Sequence, residues 1–251
     1  MNVASVSYDS QAVLSAFAQA HQISYPLLAD QGSAVIRSFG ILNTNVPADV
    51  RFYGIPFPGD YLLAPDGTIK EKIFLDDYQE RVAASEVLLR NFGAGTNGLS
   101  AGIKTDDVTA KITLSDAATY SGIQLGVAVE FAINSGWHIY GQPLPANYTP
   151  VAITFDGDLV TSQQIAFPTA APVEFKELGE TLPVYSGELK ASGQVLLKQK
   201  LKPGEYKLAG TIQFQECSDT VCKIPQRIRF ELPLHIDPLA PGAAQMKKPV
   251  A

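Results

Sequence analysis

Cys217 and Cys222 are the only cysteines in the chain, and four residues separate them. A disulfide needs Cα atoms about 4.4–6.8 Å apart. A fully extended chain would hold these two roughly 16 Å apart. The backbone must therefore turn back between them, and Ser218-Asp219-Thr220 are residues that favour a turn. Three chemistries fit such a pair. The first is a structural disulfide; closing so short a loop contributes roughly 2 kcal/mol, which a domain of this size hardly needs. The second is a zinc site, which requires two more ligands. The three histidines, His21, His138 and His235, are scattered and match no ligand spacing. The third is a dithiol that alternates between reduced and disulfide states by thiolate attack on a partner disulfide. The neighbouring charges are mixed. Glu216 and Asp219 would raise a thiol pKa, whereas Lys223 and Arg227 would lower it.

The elements that must position this pair lie in a chain of 251 residues with 25 acidic and 19 basic side chains, a net charge of −6. Hydrophobic residues make up 46% and charged residues 18%, a globular balance that excludes a disordered chain, a collagen and a coiled coil. The acidic balance, without any basic block, argues against nucleic-acid binding. The best apolar run, Gly122 to Ile133, contains Gln124 and Glu130 and falls short of the ~20 residues a membrane span needs. Met1 leads straight into a strand-like stretch, with no signal-peptide pattern.

Residues 93–104 carry a run with four glycines between Gly93 and Gly102 and read as a flexible linker. Residues 1–92 mix helical and strand periodicity. They predict a strand over Val3–Ser7, a helix over Gln11–Gln22, a short strand over Ile23–Leu28 and a helix over Ser33–Phe39. A hairpin around Pro65-Asp66-Gly67 and a final helix from Asp76 or Asp77 to Phe92 complete a βαβαββα order. Residues 105–237 alternate instead. Ile123, Leu125, Val127, Val129, Phe131 and Ile133 form one series, and Ile228, Phe230, Leu232, Leu234 and Ile236 another. Val151-Ile153-Phe155 and Tyr206-Leu208-Ile212-Phe214 continue the pattern. Short strands with one apolar face predict an antiparallel β-sandwich. The tail, residues 238–251, is rich in Pro, Ala and Gly and is expected to be disordered.

Two family resemblances follow. The motifs Val6-Ser7-Tyr8-Asp9-Ser10, Tyr25-Pro26-Leu27-Leu28-Ala29-Asp30, Gly54-Ile55-Pro56-Phe57-Pro58-Gly59 and Tyr61-Leu62-Leu63-Ala64-Pro65-Asp66-Gly67 resemble the carboxy-terminal part of a peroxiredoxin-type (AhpC/TSA, redoxin) thioredoxin-fold domain. That family's peroxidatic cysteine lies upstream of the matching part, and residues 1–216 contain no cysteine. The resemblance therefore implies a partial domain, a fragment or truncated reading frame that is not a competent peroxidase in this form. It also puts Pro58 where thioredoxin folds often carry a cis-proline.

The motifs Gly136-Trp137-His138-Ile139-Tyr140, Leu182-Pro183-Val184-Tyr185-Ser186-Gly187 and Phe214 to Pro225 are similar to the amino-terminal, immunoglobulin-like domain of the thiol:disulfide interchange protein DsbD. The overall expectation is an α+β chain: a partial thioredoxin-like α/β domain, then an antiparallel immunoglobulin-like β-sandwich. The second resemblance implies thiol–disulfide exchange through Cys217 and Cys222, with Cys222 attacking and Cys217 resolving. It also implies a cap formed by Val184 and Tyr185, with Pro225 in support. Val184 replaces an aromatic residue of that cap, and Lys223-Ile224-Pro225 replaces a proline doublet. The implied partner is a thioredoxin-like or peroxiredoxin-type redox protein outside the cytoplasm, with no cofactor and no metal. The competing reading is a binding module whose disulfide merely fixes a loop. Trp137 is expected to anchor the core, and His138 to be a hydrogen-bonded structural residue.

Overall fold

The computed structural model describes residues 2–93, 98–175 and 179–238. The chain divides into two compact units, Met1–Tyr78 and Gln79–Ala251.

In the first unit, β1 (Ser5–Ser7) pairs in parallel with β2 (Leu27–Ala29), and α1 (Gln11–Ala20) connects them. The Ser10 hydroxyl starts α1 by accepting the Val13 amide at 3.3 Å. The next helix, α2 (Ala34–Ser38), is held at its start by the Asp30 carboxylate, which accepts the amides of Val35 and Ile36 at 3.1 and 2.8 Å. Those donors hold the Asp30 carboxyl below the ordinary range. Strands β3 (Gly59–Leu63) and β4 (Ile69–Phe74) form the expected hairpin. Its turn needs a residue at φ +86°, which Gly67 supplies. The Phe57–Pro58 bond is trans; among the described residues the cis bond is Gln142–Pro143.

The expected boundary at residue 93 is corrected. The helix begins at Ala84, well after Asp76 and Asp77, and belongs to the second unit as α3 (Ala84–Phe92), preceded by β5 (Arg81–Val82). The remaining strands are β6 (Ser100–Lys104), β7 (Val108–Leu114), β8 (Ala118–Thr119), β9 (Ile123–Ile133), β10 (His138–Tyr140), β11 (Ala152–Phe155) and β12 (Val160–Ala166). Then come β13 (Ala171–Phe175), β14 (Glu180–Tyr185), β15 (Glu188–Leu197), β16 (Gly204–Phe214), β17 (Glu216–Cys217) and β18 (Gln226–Ile236). The pairing of β7 with β9 stops at Leu114↔Val127, so the first residues of β9 offer an open edge. Arg81 and Val82 fill it in parallel, against Ile123 and Gln124. Residues 81–83 therefore find sheet partners instead of extending a helix. Helix α3 then lies over the outer face of β9. Gly126 permits the approach: a Cβ there would stand 3.1 Å from Leu89 Cδ2 and 3.2 Å from Glu86 Cα. The linker is also shorter than expected, because Ser100–Lys104 is the edge strand β6, paired with β7. Residues 94–97 and 239–251, which hold the rest of the glycine run and nearly all of the tail, lie outside the described residues.

Two sheets form the sandwich. One runs β12-β15-β9-β7-β6, and the other β11-β16-β18-β8. Every β-pairing within them is antiparallel except the short β8 and β5 additions. Ile112, Leu114, Leu125, Val127 and Val129 of the first sheet and Ile212, Phe214, Leu232 and Leu234 of the second are completely buried between them. The alternation in sequence is thus the alternation of inward and outward side chains. A third sheet, β13-β14-β10-β17, carries the cysteines. No helix among the described residues is long and apolar enough to cross a membrane.

Seating α3 on β9 through Gly126 carries a stability consequence. Gly126→Ile should destabilise the sandwich by about 1–3 kcal/mol through overpacking. Gly102→Ala, where an added Cβ meets nothing within 4 Å, should stay within about 0.5 kcal/mol. Urea unfolding of the two variants at equal slope makes the comparison.

Candidate functional site

The site is a hairpin tip. Strand β17 runs into a turn over Ser218–Val221, and the chain returns at Cys222, which bridges Cys217 as an antiparallel partner. The turn is closed by the Ser218 amide donating to the Val221 carbonyl at 2.8 Å and the Lys223 amide donating to the Glu216 carbonyl at 2.9 Å. The Ser218 hydroxyl accepts the Thr220 and Val221 amides at 3.3 and 3.1 Å. Gln215 adds a side-chain tie, its amide donating to the Lys223 carbonyl at 3.1 Å. The two cysteines are joined as a disulfide, with Cα atoms 4.1 Å apart. The two cysteines have different surroundings: Cys217 is completely buried and Cys222 is exposed.

Strand parity decides what surrounds the pair. In the β10–β17 ladder His138 stands opposite Cys217, and Ile139 opposite Glu216. In the β10–β14 ladder Tyr140 stands opposite Val184, and Ile139 opposite Tyr185. Cross-strand partners share a face. The cysteine face therefore collects His138, Tyr140, Leu182 and Val184, with Tyr148 and Phe175 packed against them. The other face collects Ile139, Tyr185 and Glu216 and turns toward the sandwich core.

On the cysteine face the Tyr140 hydroxyl lies 3.6 Å from Cys222 Sγ. Burial, with the Tyr148 hydroxyl and the Glu180 carboxylate nearby, pushes the Tyr140 phenol up to about 12. At neutral pH the phenol is therefore protonated and placed to donate to the Cys222 sulfur. Tyr148 donates to Glu180 at 2.7 Å. His138 is 7% exposed, and its Nε2 is buried with no hydrogen-bond partner among the described residues. Burial holds the imidazole below its usual pKa, and the Asp219 charge opposes this weakly.

On the back face an ion cluster clamps the turn. Lys223 Nζ donates to Asp107 at 2.5 Å and to Glu216 at 2.8 Å, and sits 4.5 Å above the Trp137 ring. Glu216, 1% exposed, also accepts the Thr105 hydroxyl. Asp107 lies just before β7, so the cluster ties the cysteine turn to the sandwich. The paired charges hold the Asp107 carboxyl below its normal range and raise the Lys223 ammonium far above its own. Among the described residues no group of three or more His, Cys, Asp or Glu side chains converges as a metal site.

The structure brings Cys217, Cys222 and Val184 together. Tyr185 is a correction: it lies in strand β14 and faces away from the pair, its hydroxyl donating to the Pro168 carbonyl at 2.5 Å. Its place over Cys217 is taken by Tyr140, Leu182 and Val184. Pro225 is exposed beyond Cys222, next to Ile224, which is 82% exposed. Trp137 is partly buried against the core and also covers Lys223. The expectation of a hydrogen-bonded His138 is corrected at Nε2. Sequence reasoning weighed Glu216 and Lys223 only as opposing charges, although each stands one residue outside a cysteine. In a two-stranded tip that spacing sets them opposite each other and on the far face from the sulfurs. Tyr140 had no sequence signal beyond the Gly136–Tyr140 motif.

Residues 1–72 match the family model of the AhpC/TSA family. Residues 109–234, half of the chain, match that of the thiol:disulfide interchange protein DsbD, N-terminal. Among solved structures the chain is similar to the N-terminal periplasmic domain of ScsB from Proteus mirabilis, with 14% identity and a TM-score of 0.42 over 56% of this chain and 52% of that one. The chain thus spans about half the length of that relative. It is also similar to the reduced DsbD N-terminal domain of Neisseria meningitidis, with 21% identity and a TM-score of 0.30 over 45% of this chain and 82% of that one. No curated protein matches the chain.

The clamp has a signed pH dependence. The depressed Asp107 carboxyl contributes stability above its ordinary pKa of 3.8, and this is lost as pH falls through the lower folded value. The raised Lys223 ammonium contributes below 10.5, and this is lost as pH rises through the higher folded value. Lys223→Met should therefore lower Tm by several degrees at neutral pH, with the gap from the parent closing in strong acid. Thermal melts across pH follow it.

Proposed function

The chain belongs, through residues 109–234, to the family of amino-terminal domains of the thiol:disulfide interchange protein DsbD, and from that membership we propose that the Cys217/Cys222 pair is a redox relay for thiol–disulfide exchange. The observation that carries this reading is the asymmetry of the pair, one cysteine exposed and the other fully buried at the tip of a clamped turn. A structural disulfide needs no such difference. An exchanging one does, because a visitor must reach one sulfur while the other waits beneath.

The geometry supports the following steps. A thiolate of a partner dithiol attacks Cys222 Sγ. The Cys217–Cys222 bond breaks, a mixed disulfide forms at Cys222, and Cys217 leaves with the electron pair as a thiolate. The partner's second thiolate then attacks its own sulfur in the mixed disulfide and expels Cys222. The partner dithiol is oxidised to a disulfide, this pair is reduced, and the two protons of the partner's thiols end on Cys217 and Cys222. Run in reverse, Cys222 attacks and Cys217 resolves. The Tyr140 hydroxyl, 3.6 Å from Cys222 Sγ, supports a thiolate there by hydrogen bonding to it. The partner is a thioredoxin-like or peroxiredoxin-type protein, and exposed Val221 and Ile224 beside Cys222 offer it an apolar contact. The place of action is extracytoplasmic, where disulfides persist. Residues 1–72, the AhpC/TSA-like part, contain no cysteine, so the exchange chemistry of this chain rests on the second unit, whose third sheet leads into the cysteine turn.

Single-cysteine variants test the assignment. Cys217→Ala leaves the exposed thiol and should react quickly with an aromatic disulfide to give a stable mixed disulfide. Cys222→Ala leaves the buried thiol and should react at least about tenfold more slowly. In the Cys217→Ala background, Tyr140→Phe should raise the Cys222 thiol pKa by about one unit, followed by thiolate ultraviolet absorbance. Equal reactivity of the two thiols, or a parent disulfide that yields to a dithiol only after unfolding, would contradict the proposal.

A further inference from the structure

We propose that His138 is the base that takes the proton of the buried Cys217 thiol when that thiol resolves a mixed disulfide at Cys222. The inference rests on the exchange reading and adds a role that the reading leaves open. Cys217 is completely buried. A thiol there is hard to ionise, because burial penalises the thiolate. Resolution nevertheless needs the thiolate, since the thiol is not the nucleophile. Water cannot serve freely as the acceptor at a site closed by Tyr140, Leu182, Val184, Tyr148 and Phe175. The base must come from the walls.

The walls offer one. His138 stands directly opposite Cys217 across the β10–β17 ladder, which puts the two Cβ atoms about 4.5–5.5 Å apart with both side chains on one face. The ring is held edge-on to Tyr140, with centroids 5.3 Å apart, and tilted against Phe175 at 5.2 Å. Its buried Nε2 has no hydrogen-bond partner among the described residues. Burying a polar nitrogen unpaired carries a cost, which a nitrogen that receives a proton in one step of a cycle explains. The titratable and charged groups facing the ring are Cys217 from β17, Tyr140 from its own strand and Asp219 from the turn; Phe175 from β13 is apolar. Tyr140 keeps its proton to about pH 12 and does not compete as a base. Asp219 favours the imidazolium once it forms.

The step balances. With the mixed disulfide on Cys222, neutral His138 accepts the Cys217 proton. The Cys217 thiolate attacks Cys222 Sγ, the intramolecular disulfide forms, and the partner leaves as a thiolate with the electron pair. The imidazolium then releases its proton to that thiolate or to solvent.

The reduced chain treated with an excess of an aromatic disulfide reads this directly. A first coloured thiolate is released when Cys222 attacks, and a second when Cys217 resolves. His138→Phe keeps the ring volume and His138→Asn keeps a polar group; neither has a basic nitrogen. Both should slow the second release by about a hundredfold at neutral pH and shift its pH profile upward. In the parent, the second release should rise through the titration of the imidazole and then level off. The parental rate and profile of the second release in either variant would overturn the role of His138. Absence of the first release from the reduced parent chain would instead count against the exchange reading.

Discussion

The site depends on a pair of opposite charges that the disulfide never touches. Glu216 and Lys223 each sit one residue outside a cysteine, and they meet on the far face of the two-stranded tip. Asp107 and the Trp137 ring complete the cluster from the sandwich side. Glu216 is buried, so its charge is tolerable only while Lys223 stays in place. The turn is thereby held from behind, together with the Ser218 and Lys223 amide bonds. None of those ties runs through the sulfur–sulfur bond. They hold the two strands of the tip together independently of the disulfide, which is what the proposed relay requires.

Parity extends this division to the whole sheet. A residue's side chain faces the sulfurs or the core according to its odd or even place along β10, β14 and β17. His138, Tyr140, Leu182, Val184 and Cys217 fall on the chemical face, whereas Ile139, Tyr185 and Glu216 fall on the supporting face. The cysteine face combines a protonated phenol near Cys222 and, across from Cys217, an imidazole whose Nε2 has no hydrogen-bond partner among the described residues. Each sulfur thus has its own polar neighbour, and the apolar side chains between them limit water.

Much of this was legible in the residues. The strands built on Ile123–Ile133, Tyr206–Phe214 and Ile228–Ile236 were readable because each has a buried and an open face. The cysteine pair was readable from its spacing and its isolation. The domain boundary was not. The glycine run suggested residue 93, but the open edge of β9 captures Arg81 and Val82, and Gly126 admits α3 beside it. Such pairing across sequence has no local signal. Tyr185 was misplaced for a related reason: a proline- and glycine-containing segment reads as a loop, and only the register with Ile139 shows which way the ring turns. The Glu216–Lys223 contact follows once the tip is known to be two-stranded, whereas Asp107, distant in sequence, could be found only in the folded chain.

The reduction potential of the Cys217/Cys222 pair, measured in the folded chain by equilibrium with a thiol–disulfide buffer, bears most directly on the relay. A relay pair should fall between about −120 and −300 mV, the range of proteins that exchange disulfides. A value well below about −300 mV would mark a permanent structural bond and contradict the account.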